Sequence, residues 1–407
     1  MAVGLEIPSV LNPVKGFALG IASAGIKKAG RKDVVLMRCS EQAQVVGVFT
    51  RNAFCAAPVI LSKKHLATGQ AIQYFITNTG NANAGTGQQG LQSATVVCEA
   101  VANATGVAVE AILPFSTGVI GEPLPIEKIM AVIPQAMADL KEDNWLNAAE
   151  GIMTTDTTPK GASVRFQHEG KTITVTGISK GAGMICPNMG TMLGYIATDA
   201  KVAKPVLQTL LEDATNKSFN RITIDGDTST NDSCVLIATG ETELAEITQA
   251  SGDYYDKLKI ALFSVAMELA QAIVRDGEGA TKFVTVKVNG GDTHQECLDV
   301  AYAVAHSPLV KTALFASDPN WGRIVAAVGY SGVANLDVSK VNVFLGDVQI
   351  VEAGGRAASY TEEQGAKAMQ QAEITIRIEL NRGSCQETIW TTDLSHEYVK
   401  INAEYRS

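Results

Sequence analysis

The 407-residue chain contains no C-x-x-C pair, no ligand-spaced group among its five histidines and no excess of basic charge. Its seven cysteines, Cys39, Cys55, Cys98, Cys186, Cys234, Cys297 and Cys385, are scattered and odd in number. That pattern speaks against a zinc framework or a disulfide scaffold. The expectation is a reduced protein with no metal and no resident cofactor. A net charge of -9 and a pI of about 5.2 argue against a nucleic-acid partner held through its phosphates. No apolar run is long enough for a bilayer; the best, Ile260 to Val274, is interrupted by Glu268. The opening Met1-Ala-Val-Gly-Leu-Glu-Ile-Pro8 lacks a basic stretch leading into an apolar core, so a cytoplasmic location is expected. P-loop and dinucleotide fingerprints are also missing, as are sequence repeats and low-complexity linkers.

What is present is ordinary globular material, 46% apolar and 18% charged, enough for several packed layers. Strand-like runs fall at Val34 to Arg38, Val45 to Thr50 and Gln73 to Thr77, the last entering a loop, Asn78 to Gly87, made of Asn, Gly, Ala and Thr. Ser93 to Ala104 and Ile126 to Leu140 carry helical spacing, and Ala162 to Phe166 pairs with Thr172 to Val175 around Glu169-Gly170. Further on, Lys204 to Asn216 and Tyr255 to Arg275 read as amphipathic helices. Phe283 to Val288, Val341 to Leu345, Val348 to Val351 and Ile374 to Leu380 read as strands, with a hairpin at Gly346-Asp347. Helices and hairpin-connected strands are interleaved, which speaks against a purely parallel sheet.

The stretch that bears on chemistry is Ile178-Ser-Lys-Gly-Ala-Gly-Met-Ile-Cys-Pro-Asn-Met-Gly-Thr-Met-Leu193. One lysine, Lys180, stands among small and apolar residues, and Pro187 and Gly190 interrupt regular structure before Thr191. A small residue before threonine leaves its carbonyl open to the threonine hydroxyl. An N-to-O acyl shift followed by hydrolysis would cut between Gly190 and Thr191 and free an α-amine on Thr191. A threonine hydroxyl needs an adjacent base, and an α-amine titrating near 7.7–8.0 supplies one on the same residue. The alternative reading of this spacing is an uncut glycine-rich loop entering a strand.

Taken as a whole, Lys180-Gly-x-Gly-Met-Ile-x-Pro-Asn-Met-x-Thr-Met-Leu193 resembles the signature of the ornithine acetyltransferase family, also called the ArgJ family. The resemblance extends over nearly the whole chain. It takes in Asn78 to Gly87, Ser116-Thr-Gly-Val-Ile-Gly121, Met153-Thr-Thr-Asp-Thr157, Asp225-Gly-Asp-Thr-Ser-Thr-Asn-Asp232, Arg275-Asp-Gly-Glu-Gly279, Asp318-Pro-Asn-Trp-Gly-Arg323 and Lys400 to Ser407. Two positions depart from it: Gly190 stands where alanine is usual, and Cys186 where a small residue is common.

The resemblance implies an α/β (α+β) fold, a layered α/β/β/α sandwich of the DmpA/ArgJ type. It implies self-cleavage into an α chain, 1–190, and a β chain, 191–407, assembled as an α2β2 heterotetramer. Thr191 would take the acetyl group of N2-acetylornithine and pass it to glutamate, with acetyl-CoA as co-substrate in bifunctional members. Thr117 and Gly118 match the oxyanion hole, and Thr154, Lys180, Glu278, Asn402 and Ser407 match substrate contacts. Lys180 suits a carboxylate, which ornithine and glutamate both carry. The two fragments carry formal charges of +2 and -11, which is permissive for their association. Within the same fold the competing activity is an amidohydrolase or aminopeptidase; outside enzymology it is an uncut binding protein. Asp225 to Asp232 reads as a loop ordering its own backbone near the site, Trp321 as a packing anchor, and His396 as a residue with no evident partner.

Overall fold

Runs such as Phe17-Ala-Leu-Gly-Ile-Ala22 and Val34-Val-Leu-Met-Arg-Cys39 are apolar at both odd and even positions, the pattern of strands covered on two faces. The computed structural model describes residues 2–186 and 192–405, so Gly190, Thr191 and Ser407 lie outside the described residues. The chain forms two compact units. The larger comprises Glu6–Asn220 and Thr228–Ile273; the smaller comprises Met1–Leu5, Arg221–Asp227 and Val274–Ser407.

The larger unit holds two sheets. The first runs in the order β1 (Phe17–Ala22), β2 (Val34–Cys39), β4 (Tyr74–Asn81), β5 (Ile112–Val119), with only β4 and β5 parallel. The second runs β3 (Gln44–Phe49), β9 (Ser233–Ala238), β8 (Leu193–Thr198), β7 (Lys171–Lys180), β6 (Lys160–His168), with only β8 and β9 parallel. Strand alternation sends Phe17, Leu19, Val35, Met37 and Phe75 from one sheet against Ile178, Leu193, Tyr195, Val235 and Ile237 from the other, in one buried cluster. Each such side chain contributes about 1.5–3 kcal/mol by leaving water.

The opposite parity of the first sheet, Val34, Leu36, Ile76 and Ile112, packs under α1 (Ala57–Ala67), α2 (Gly87–Thr105) and α3 (Ile126–Ala138). Trp145, which opens α4 (Trp145–Gly151), is buried and stacks on Phe17 at 5.2 Å. Over the second sheet, α5 (Lys204–Lys217) lies on β3 and β9. Gly177 of β7 leaves room there for Leu269 of α6 (Asp253–Arg275), whose Cδ1 would meet an added Cβ at 3.0 Å. Helices therefore flank a pair of facing sheets, the α/β/β/α layering that the resemblance implies.

The hairpin at Glu169-Gly170 is present, both residues with positive φ (47° and 74°) as the tightest hairpin turns require. Another expectation shifts: Asn78 to Asn81 belong to β4 rather than to the loop. Ser116 to Gly118 lie near the end of β5, paired with Asn78 to Gly80.

In the smaller unit a six-stranded sheet has the order β13 (Gly355–Arg356), β12 (Val348–Glu352), β11 (Asn342–Leu345), β14 (Glu373–Glu379), β10 (Phe283–Gly291), β15 (Cys385–Thr392). Only β10 and β14 are parallel. Its core joins the sheet to α7 (His294–His306), α8 (Pro308–Phe315) and α9 (Trp321–Gly329). Trp321 packs against this core as an anchor. α10 (Glu362–Met369) opens on a capping box of Thr361 and Gln364. Ser395 caps α11 (His396–Ala403), and His396 at its start stands edge-on to Phe315 at 5.5 Å. No described helix is long and apolar enough to cross a membrane.

Candidate active site

Parallel pairing brings Thr117 opposite Thr79 and Gly118 opposite Gly80 at the ends of β5 and β4. The two backbones approach so closely that a Cβ on Gly118 would sit inside the Gly80 main chain and 2.5 Å from Asn81 N. Gly118 also has φ +136°, so only glycine serves there. The polar residues around this strand end are buried and hydrogen-bonded. Ser116 Oγ donates to Asn78 Oδ1 (2.6 Å), and Asn78 Nδ2 donates to Asn81 O (2.9 Å). From the Thr228-to-Asp232 segment, Asn231 Nδ2 donates both to Ala82 O (2.6 Å) and to Ser116 O (2.8 Å). Fully satisfied networks of this kind rigidify what they surround, here the backbone that carries Thr117 and Gly118.

Lys180 ends β7. It is 8% exposed, and its Nζ lies 3.4 Å from Thr117 Oγ1, donating to it. The structure thus brings together two residues singled out 63 positions apart along the chain, Thr117 and Lys180. Thr154 is tied to the same place through Asp156. One Asp156 oxygen accepts from Thr154 N (2.9 Å); the other accepts from Gly181 N (2.7 Å) and from Lys160 Nζ (2.7 Å). Burial alone would raise this carboxyl, but the charges of Lys160 and Lys180 outweigh it and hold Asp156 well below the usual carboxylate range. Arg31 secures the other side of the segment, donating to Met153 O (2.7 Å) and Thr154 O (3.0 Å). Thr154 thus has its own N–H and C=O both fixed, while the residue stays partly accessible.

In the smaller unit Glu278 and Asn402 are partners. Asn402 Nδ2 donates to Glu278 Oε2 (2.7 Å) and to Tyr398 O (3.0 Å). Glu278 is buried and Asn402 exposed. The neighbouring Gly279 has φ +67°, and a Cβ on it would meet Ser395 Oγ at 2.5 Å and Tyr398 N at 2.6 Å. Ser395 Oγ donates to Gly279 O (2.7 Å) while accepting from Tyr398 N (3.3 Å). One hydroxyl therefore caps α11 and locks it to the Glu278 loop. Tyr398 donates to Asp225 Oδ2 (3.0 Å); burial first, then the charges of Asp225, Glu278 and Asp227, push its phenol above the ordinary range. No group of three metal-ligating side chains occurs among the described residues.

Several residues of the site were not singled out from the sequence. Asp156, Lys160 and Arg31 carried no reading of their own, and Asn231 holds Ser116 from the Asp225-to-Asp232 loop, which the sequence reads as ordering its own backbone near the site. The one available signal was that Asp156, Asn231 and Asp232 stand inside quoted motif segments. Thr191, Gly190 and Ser407 lie outside the described residues, but Met192 next to Thr191 is described. Its carbonyl accepts from Ser233 N (2.9 Å).

The model of the ArgJ family matches residues 18–407. The chain is 70% identical over all 407 residues, end to end in both chains, to the arginine biosynthesis bifunctional protein ArgJ of Pseudomonas syringae pv. tomato. It is 70% identical over the same span to the protein of that name from Pseudomonas fluorescens. Among solved structures, the arginine biosynthesis bifunctional protein ArgJ of Bacillus halodurans is 38% identical with a TM-score of 0.50. All of that solved chain is matched, and it covers 53% of this one.

Proposed function

This chain belongs to the ArgJ family, and on that premise we propose that it moves an acetyl group from N2-acetylornithine to glutamate through an acetyl ester on Thr191. It is an acyltransferase of arginine biosynthesis. The observation that carries the reading is end-to-end 70% identity, which leaves no part of the site outside the comparison.

The chain first acts on itself. Thr191 Oγ attacks the Gly190 carbonyl, the Gly190–Thr191 amide becomes an ester, and water cleaves that ester to leave a free α-amine on Thr191. The segment from Thr191 to Ser407 is 217 residues, 53% of the chain.

In turnover the Thr191 hydroxyl, deprotonated by its own α-amine, attacks the acetyl carbon of N2-acetylornithine. The bond from that carbon to N2 breaks, the proton passes to the leaving amine, and ornithine departs. The amine of glutamate then attacks the ester carbon, its proton returns to Thr191 Oγ, and N-acetylglutamate leaves. Both steps build negative charge on the acetyl oxygen. A hydroxyl at Thr117 and a backbone N–H at Gly118, on a strand end made rigid by Asn78 and Asn231, suit that charge. Lys180 supplies a fixed ammonium for the α-carboxylate common to the two substrates. Thr154, held by Asp156 and Arg31, and the hydrogen-bonded pair Glu278 and Asn402 are the further substrate contacts that the resemblance implies. Acetyl-CoA serves as a second donor, no resident cofactor takes part, and the cut chains assemble as α2β2.

Intact-mass measurement of purified protein, paired with assays using N2-acetylornithine and acetyl-CoA as donors, tests the whole scheme. Two fragments ending at Gly190 and starting at Thr191, with glutamate-dependent consumption of N2-acetylornithine, are expected. An active protein of a single intact mass would overturn it, and acetate release independent of glutamate would turn the reading to a hydrolase. Thr191→Ala is expected to stay uncut and inactive.

A further inference from the structure

The connection from β1 to β2, residues 23–33, places Lys27, Lys28, Arg31 and Lys32 within six positions of a chain whose net charge is -9. Only Arg31 has a part in the scheme above. The one acid of this loop, Asp33, is 2% exposed and turned inward. Its Oδ1 accepts from Ala24 N (2.6 Å), its Oδ2 from Ile26 N (2.7 Å), and its backbone oxygen from Thr79 N (2.9 Å). Gly25 and Gly30 have φ of +64° and +74°, the left-handed turns that let the loop close. Lys32 is met by Asn147 and Glu150. From α3, Lys128 Nζ donates to Gly25 O (2.8 Å) and brings one more ammonium to the loop. Lys27, Lys28 and Lys128 are exposed. Partial desolvation first, then the like charges of Lys28 and Arg31, lower the Lys27 ammonium from its ordinary value.

This loop borders the strand end that carries the oxyanion residues. A Cβ on Gly80 would lie 3.1 Å from Lys27 Cβ and 3.3 Å from Ile26 Cγ2, and Gly80 is paired with Gly118. At the other end of the loop, Arg31 holds the carbonyls of Met153 and Thr154. Cations gathered on one loop repel each other, and an anion among them removes that cost. In the scheme above the amino-acid substrates give their α-carboxylate to Lys180. An outer group of ammoniums therefore suits an anion carried further from the reacting carbon. Acetyl-CoA has that form. Its acetyl group and its phosphates stand at opposite ends of a long pantetheine arm, and lysine binds phosphate as a point charge.

We propose that Lys27, Lys28 and Lys128 form the phosphate site for the acetyl-CoA donor, on the loop beside the oxyanion strand pair. The inference rests on the reading of acetyl-CoA as second donor. With the acetyl carbonyl at Thr117 and Gly118, the arm leads past Gly80 to the loop. The chemistry is that of the scheme above with sulfur in place of N2: the C–S bond breaks and the proton passes to the leaving thiolate.

Lys27→Gln/Lys28→Gln and Lys128→Gln, assayed for glutamate acetylation from three donors, test this site. The donors are acetyl-CoA, S-acetylpantetheine, which has the same thioester without phosphates, and N2-acetylornithine. The substitutions lie on the surface, so Tm should stay within about 3 °C of the parent. In the parent, kcat/KM for acetyl-CoA should exceed that for S-acetylpantetheine by about tenfold or more. The double variant should raise KM for acetyl-CoA by about tenfold with kcat within about twofold, and Lys128→Gln should raise it by about threefold. Both should leave kcat/KM for the other two donors within about twofold of the parent. Calorimetric titration with free CoA should show the same loss of affinity. An unchanged KM for acetyl-CoA overturns the inference. So does an equal loss with all three donors, which would assign the lysines to general attraction of anions. Turnover of N2-acetylornithine with neither thioester removes the second-donor reading and the site with it. A parent that uses acetyl-CoA beside variants that do not respond removes only the site.

Discussion

Asp156 and Asp232 are both buried in the larger unit within reach of the charge of Lys180, and they answer burial in opposite senses. Asp156 meets Lys160 and two backbone N–H groups, so its folded-state carboxyl lies below the unfolded value. Such a group stabilises the fold wherever pH exceeds the ordinary carboxylate value of about 3.9, and the contribution is lost as pH falls toward the depressed value. Asp232 lies above its unfolded value, so its contribution is present at low pH and is lost as pH rises through the raised value. Thermal melts as a function of pH check both signs. Asp156→Asn strands the buried Lys160 and should cost about 3–5 kcal/mol at pH 7, with the gap to the parent narrowing as the solution is acidified toward pH 3. Asp232→Leu should instead gain on the parent as pH rises above about 4. A gap that does not change with pH in either variant would show that the carboxyl is not the titrating cause.

At the scale of elements, the site depends on a few strand and helix ends whose position one atom decides. Gly279 is the contact on which α11 rests. Gly279→Ala would drive a Cβ into Ser395 Oγ and Tyr398 N and force a left-handed conformation on alanine. The expected result is displacement of α11, loss of the Asn402–Glu278 hydrogen bond and a fall in kcat/KM of about tenfold or more, from a lost charged hydrogen bond of about 1.5–3 kcal/mol. Circular dichroism should stay close to the parent. Unchanged kinetics would detach α11 from function.

Such elements were unequally legible in the sequence. The β6–β7 and β11–β12 hairpins declare themselves through Glu169-Gly170 and Gly346-Asp347, because a two-residue turn is local chemistry. β1, β8 and β9 did not, since a strand covered on both faces loses the alternation that marks it. The site divides in the same way. Lys180, Thr117, Gly118 and Thr154 stand in motifs long enough to match a family. Asp156, Lys160 and Asp232 are charged residues among Thr, Ser and Asn, where polarity reads as exposure, and only the tertiary fold buries them.

Across the whole molecule, the proposed cut does not follow the spatial division of the chain. Residues 190 and 191 both fall within the larger unit, and the strands on either side of them, β7 and β8, are antiparallel neighbours from Val175↔Thr198 to Lys180↔Leu193. β3 and β9, which also come from opposite sides of the cut, pair as well. After scission, two separate polypeptides therefore complete one sheet. Folding happens once, as one chain, and the maturation step erases the connection that made it unimolecular. The mature protein should then be held by its unfolding rate rather than by a reversible equilibrium. Denatured uncut Thr191→Ala should regain its structure at a rate independent of protein concentration, while the denatured mature protein should recover slowly, in a second-order process, or not at all. Equal and concentration-independent recovery of both would contradict this, and the comparison needs only fluorescence and a dilution series.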